Sequence, residues 1–227
     1  MTVDETIKLI EALADMLGVI AWPALIAFII FKFRPDIKTF FESLGEFSLK
    51  GAGIEASAKR KQLEAVASLA AAASDNSKEK STPQEAANNA VNVVTSSLTT
   101  RALRRAEKAT VLWVDDRPDN NINERYSLEA FGVEFVLALT THDALEKVKH
   151  QHFDAIISDM GRPSDSRAGY TLLEKLRSNG NTIPFIIYAS SDAPEHKLEA
   201  ISHGASGSTG RPSELFRLVL KAISRGA

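Results

Sequence analysis

The sequence predicts an α/β fold for its C-terminal half, a doubly wound five-stranded parallel sheet, preceded by an N-terminal transmembrane helix and a helical linker. Three observations predict it. From Thr110 onward, short apolar runs alternate with amphipathic segments in five successive β-then-α units over about 118 residues, which implies a parallel sheet covered by helices on both faces. Acidic residues stand directly after the first and third of those runs, at Asp115, Asp116 and Asp159. From Met16 to Phe31, sixteen residues carry no charge or strongly polar group. The chain therefore divides into residues 1–35 with a span at about 14–33, a connector at 36–109, and the α/β domain at 110–227.

The span is short. Sixteen residues give roughly 24 Å of helix against a hydrocarbon core of about 30 Å, so Leu13, Ala14 and Phe33 extend it and Lys32 snorkels. Pro23 is tolerated in a transmembrane helix when neighbours satisfy the freed carbonyl. A cleaved signal peptide fits poorly, because the preceding residues include Asp4, Glu5, Glu11 and Asp15, where such a peptide is basic. An interfacial helix would carry a polar face. Lys32, Arg34 and Lys38 follow the span, so the positive-inside rule places the N-terminus outside and the rest in the cytoplasm of a cell with an inner membrane.

In the connector, Ile37 to Leu49 mixes phenylalanines with charges and suits a membrane surface. An alanine-rich helix is predicted from Ile54 to Ala73, where Lys59, Arg60 and Lys61 form either a lipid contact or a solvated face. Ser74 to Ser81 is wholly polar and reads as a linker. Thr82, Pro83 and Glu85 supply a capping box and a first-turn proline, so a helix starts there and is expected to run to about Lys108. Ala87, Val91, Val94 and Leu98 give it a heptad-like seam, suited to homodimerisation or to packing on the following domain.

In the α/β region the predicted strands are Val111–Val114, Val133–Ala138, Asp154–Ser158, Pro184–Tyr188 and a weak fifth near Ala205–Thr209. Helices are expected from Asn120 to Phe131, from Thr141 to about Lys149, around Leu172–Leu176, over Pro194–His203 and over Ser213–Ser224. Right-handed crossovers favour ligands at the carboxyl ends of the strands. In the flavodoxin-like order 2-1-3-4-5 the first and third strands are neighbours, so Asp115, Asp116 and Asp159 converge. Three carboxylates repel one another unless a cation sits among them. Mg²⁺ suits such an oxygen-rich site, and one carboxylate can then attack a phosphoryl group. For Asp115 and Asp116 a helix cap is the alternative, but a cap needs one carboxylate only.

Taken in order, VLWVDD, DAIISDM, GYTLLEKLR, IPFIIYAS and GASGSTGRP resemble the motifs of bacterial response-regulator receiver domains from about Thr110 to Ile223. The resemblance implies that Asp159 is the phosphoacceptor. It implies too that Asp115, Asp116, Asp159 and the carbonyl of Gly161 hold Mg²⁺, and that Arg211 stands where the family's phosphate-contacting lysine falls. Two departures follow: arginine at 211, whose planar fork is no simple substitute for an ammonium, and Ala189 in place of the switch Thr or Ser, with Ser190 and Ser191 next. The loop after Asp159 is also longer than the family's.

The expected role is a membrane-anchored, non-enzymatic signal-transduction protein that receives phosphate from a sensor kinase or another signalling protein. No DNA-binding segment follows the last helix, so output is expected through partners or through the linker and span. A phosphorylation-independent pseudo-receiver is the alternative. A haloacid-dehalogenase-like phosphatase would place its two aspartates two residues apart on the first strand, whereas here the pair is adjacent. A net charge of −2 and no basic stripe argue against nucleic acid as a partner. The absence of cysteine excludes thiolate metal sites and thiol nucleophiles. His150 and His152 lack a third ligand nearby and read as a polar turn.

Overall fold

A computed structural model describes residues 54–75, 82–191 and 193–225. The predicted span, the segment at 37–49 and most of the polar linker lie outside the described residues. Among the described residues, no helix is long and apolar enough to cross a membrane.

The sheet comprises β1 (Thr110–Val114), β2 (Glu134–Ala138), β3 (Ala155–Ser158), β4 (Phe185–Tyr188) and β5 (Gly207–Thr209). All pairings are parallel and the order is β2-β1-β3-β4-β5, as the alternating pattern predicts. The connecting helices are α4 (Ile122–Glu129), α5 (Thr141–His150), α6 (Ala168–Ser178), α7 (Pro194–Ser202) and α8 (Pro212–Arg225). A 3₁₀ turn at Pro118–Asn121 precedes α4, so the helix starts later than Asn120. Proline favours such a first turn, and Arg117 before it lies outside the helical region.

Strand alternation divides the core. Leu112, Val114, Ile156, Phe185 and Ile187 point to one face and pack with Phe153, Leu172, Leu173 and Leu176. Val111, Trp113, Ile157 and Ile186 point to the other, the side of α4 and α8, and all are buried. There Phe131 meets Phe216 edge to face at 6.2 Å.

Three further helices precede the sheet: α1 (Ile54–Asp75), α2 (Pro83–Ser97) and α3 (Thr100–Ala106). They pack on α4 and α8 as an additional layer. In α1, Ala65, Leu69, Ala72 and Ala73 recur at helical spacing and are buried; small side chains let the helices approach closely, and each buried Leu or Val adds roughly 1.5–3 kcal/mol. Two of the three basic residues of α1 are ion-paired, Arg60 with Glu64 and Lys61 with Glu107. The capping box of α2 forms: the Thr82 hydroxyl accepts from Glu85 N–H, and Glu85 accepts from Thr82 N–H at 2.8 Å. Its buried face is Ala86, Ala90, Val93 and Val94, which shares Val94 with the heptad-like seam but replaces Ala87 and Val91 by the residues before them. Asn89 also donates to the Ser213 hydroxyl at 3.2 Å.

The helix expected to continue to Lys108 breaks at Leu98 and Thr99, both extended. The run Thr95-Ser96-Ser97 is poor in helix formers, and the Thr99 hydroxyl instead caps a new helix by accepting from Ala102 N–H. Local capping chemistry overrides the continuation.

Candidate functional site

The register places the acidic residues side by side. Val114 of β1 pairs with Ser158 of β3, so Asp115 and Asp159 leave adjacent parallel strands at the same level. Asp159 N–H donates to the Val114 carbonyl and Asp115 N–H to the Ala138 carbonyl, each at 2.9 Å. One carboxylate oxygen from each of Asp115, Asp116 and Asp159 lies within 4.8 Å of the others. These three form the only such group among the described residues; His150 and His152 join none. The aspartates line a cavity of about 820 Å³ together with Gly161, Arg162, Ala189 and Ser190.

Asp115 is buried and fixed by two donors. Its Oδ1 accepts from Arg117 N–H and its Oδ2 from the Asn121 side-chain amide, both at 2.7 Å. Asn121 ends the 3₁₀ turn and was not distinguished in the sequence; its spacing of six residues from Asp115 is no recognisable motif. Asp159 Oδ1 accepts from Met160 N–H at 2.8 Å. Burial, and then the negative charge of Asp115, push the Asp159 carboxyl up to about 6, against the Met160 hydrogen bond and the Arg162 charge. An all-oxygen set of carboxylates is the donor chemistry of a hard divalent cation.

Two glycines permit the close approaches that shape the cavity. A Cβ on Gly169, at the start of α6, would stand 3.0 Å from the Asp159 carbonyl, where Gly169 N–H donates to the Met160 carbonyl at 2.9 Å. A Cβ on Gly210 would stand 2.6 Å from the Ala189 carbonyl, so the segments leaving β4 and β5 can cross only with glycine there. The longer loop after Asp159 is closed on itself. Arg162 and Asp165 exchange both backbone hydrogen bonds at 2.9 Å, and the Asp165 carboxylate accepts from Arg167 N–H and the Thr171 hydroxyl.

Arg211 follows β5, and its Nη2 donates to Glu214 Oε2 at 2.9 Å. The same oxygen accepts from Lys197 and from the Thr209 hydroxyl, each at 2.9 Å. Burial opposes the Glu214 charge, but these donors outweigh it and hold the carboxyl below its ordinary range. Gly210 lines the acidic cavity; Arg211 is not part of its lining. Ala189 and Ser190 both border the cavity, because β4 ends at Tyr188 and strand alternation no longer separates them.

Also lining the cavity, the Tyr188 hydroxyl donates to Glu124 Oε1 at 2.8 Å, and burial pushes the Glu124 carboxyl up. Trp113 meets the Tyr188 ring edge to face at 5.9 Å. Ala72 and Asp75 of α1 complete one wall, where Asp75 accepts from the Asn123 amide at 3.0 Å.

Residues 111–222 match the family of the response regulator receiver domain. That segment is a receiver domain. The chain is similar to a part of the sensor protein EvgS of Escherichia coli K12, 33% identical over 78 residues, which cover 34% of this chain and 6% of EvgS. It is also similar to a part of the sensor histidine kinase RcsC of E. coli K12, 27% identical over 117 residues, 52% of this chain and 12% of RcsC. The chain thus spans a small fraction of these curated relatives. Among solved structures, it is similar to the receiver domain of the sensor histidine kinase PA1611 from Pseudomonas aeruginosa PAO1, whose structure has a magnesium ion coordinated in the active-site cleft. The identity is 23%, the TM-score 0.43, and the match covers 51% of this chain and 97% of that one.

Proposed function

We propose that this receiver domain accepts one phosphoryl group on Asp159, with Mg²⁺ held by Asp115, Asp116, Asp159 and the main-chain carbonyl of Gly161. The convergence of three carboxylate oxygens within 4.8 Å at the ends of β1 and β3 carries the reading, since nothing in the loop geometry requires such repulsion. When bound, Mg²⁺ supplies Lewis-acid neutralisation of phosphoryl oxygens. The chain's own residues do the rest. Asn121 and Arg117 N–H fix Asp115; Met160 N–H orients Asp159, leaving its second oxygen to attack. That oxygen forms a bond to phosphorus as the donor's bond to phosphorus breaks, and the leaving group departs with the electron pair.

The donor is expected to be a sensor kinase or another signalling protein. The apolar run at 16–31 supports attachment of the domain to the inner membrane, with the receiver on the cytoplasmic side. A phosphorylation-independent binding module remains the second reading. It is favoured by the engagement of Arg211 with Glu214 and by the lack of a hydroxyl at Ala189.

Incubation with Mg²⁺ and acetyl phosphate, followed by intact-mass measurement, separates the two. We expect a single phosphoryl adduct, lost in Asp159→Asn, and loss of the Mg²⁺ response of Trp113 fluorescence when Asp115 and Asp116 are both changed to Asn. Failure to label under conditions that label a control receiver favours the binding module.

A further inference from the structure

Arg162, three residues after Asp159, is 92% buried by its 8% exposure. Its guanidinium donates to the Thr141 hydroxyl at 2.7 Å, to the Ser158 hydroxyl, and more weakly to the Asp159 carbonyl at 3.3 Å. All of these acceptors are neutral, and its Nε has no hydrogen-bond partner. Among the described residues, no carboxylate pairs with it directly. A cation buried without a paired anion is costly unless nearby negative charge compensates through space. Here that charge is the aspartate cluster, whose cavity Arg162 also lines. The other cation on this cavity, Arg117, is 77% exposed and 3.8 Å from Asp116, so water and salt screen it.

The hydroxyls of Ser158 and Thr141 do not themselves require a charged donor. What the guanidinium adds is a fixed positive charge behind the Asp159 main chain. Three carboxylates less one guanidinium leave two net negative charges, equal and opposite to a divalent cation. Arg211, meanwhile, is turned to Glu214.

We propose that Arg162 is a positioning residue that acts as the internal counter-charge of the acidic cavity, a role Arg211 does not fill: it tempers the hold on a divalent cation and stabilises the charge that arrives with a phosphoryl group. The phosphoryl half rests on the function proposed above. The cation half stands on the carboxylates and the buried guanidinium alone.

The two halves have opposite signs, which a merely structural role would not produce. Arg162→Gln retains an amide donor for Ser158 and Thr141; Arg162→Met removes polarity altogether; Arg162→Lys restores the charge. Mg²⁺ titration of the full chain, followed by Trp113 fluorescence and calorimetry, should show at least about threefold tighter binding in either neutral variant. The Lys variant should stay within about twofold of wild type. At saturating Mg²⁺, labelling by acetyl phosphate should be roughly tenfold slower in the neutral variants. Unchanged or weaker Mg²⁺ binding in a folded neutral variant overturns the counter-charge. Equal labelling rates at saturating Mg²⁺ overturn the phosphoryl half. If both neutral variants fail to fold while the Lys variant folds, the residue is structural and the inference falls. A wild-type chain that takes no phosphate defeats the proposed function and the phosphoryl half together, while the Mg²⁺ comparison still decides the cation half.

Discussion

Changing Asp159 to asparagine should make the metal-free protein more stable at neutral pH. The folded protein holds the Asp159 proton up to about 6, where the ordinary value is 3.8. The folded state therefore binds more protons than the unfolded chain between those values and loses stability as pH rises through that window. At about 1.4 kcal/mol per pH unit, the interval sets a ceiling of ~3 kcal/mol. Asp159 is only half-buried, so solvent screening lowers the expected gain to about 1–2 kcal/mol. Asparagine retains a carbonyl oxygen for the Met160 N–H, so the substitution removes charge with little loss of hydrogen bonding. Urea denaturation with a chelator present should show a higher midpoint and an unchanged slope at pH 7.5. The gain should shrink to about a third at pH 4.5, because the folded Asp159 is then largely protonated and the pH lies less than one unit above the ordinary 3.8, so little of the window has been crossed. An Asn variant no more stable than wild type at pH 7.5, or a gain that does not shrink in acid, would refute the repulsion argument.

Gly210→Ala should lower stability by about 1–3 kcal/mol, because its Cβ would press on backbone rather than on a flexible side chain; the denaturation midpoint checks this. Full-length protein should resist carbonate and salt extraction from membranes, whereas a chain beginning at Ala52 should be soluble; release of the full chain by carbonate would sink the anchor.

The sheet and its order were legible because the first four strands centre on apolar runs, the fifth (Gly207-Ser208-Thr209) being weak, and the crossovers have helical spacing. Asp115, Asp116 and Asp159 were legible for the same reason, since each terminates such a run. Arg162 was not: nothing in GRPSDSRA marks one of its two arginines as buried, and only the doubling-back of that loop puts it behind Asp159. Asn121 and the Tyr188–Glu124 bond escaped likewise, since both depend on how the 3₁₀ turn and α4 fold over the strand ends. The break of α2 before Lys108 is not visible in the pattern, because helix spacing persists through Thr99 while the Thr99 hydroxyl caps a new helix there. The alanine-rich helix gave no hint of its packing, because alanine suits an exposed helix and a tight interface equally.

That last helix changes where the domain should be cut. The family match begins at residue 111, but Val66, Leu69 and Ala72 of α1 and Val94 of α2 are buried in the packing, and Asp75 walls the acidic cavity. The segment that matches the family is thus shorter than the packed unit. A fragment trimmed to the family boundary would bare an apolar flank on α4 and α8 and open its own cavity to solvent on one side. Measurements on such a fragment would describe a different object: weaker in metal binding, prone to self-association, and lacking the wall that Ala72 and Asp75 give the cavity.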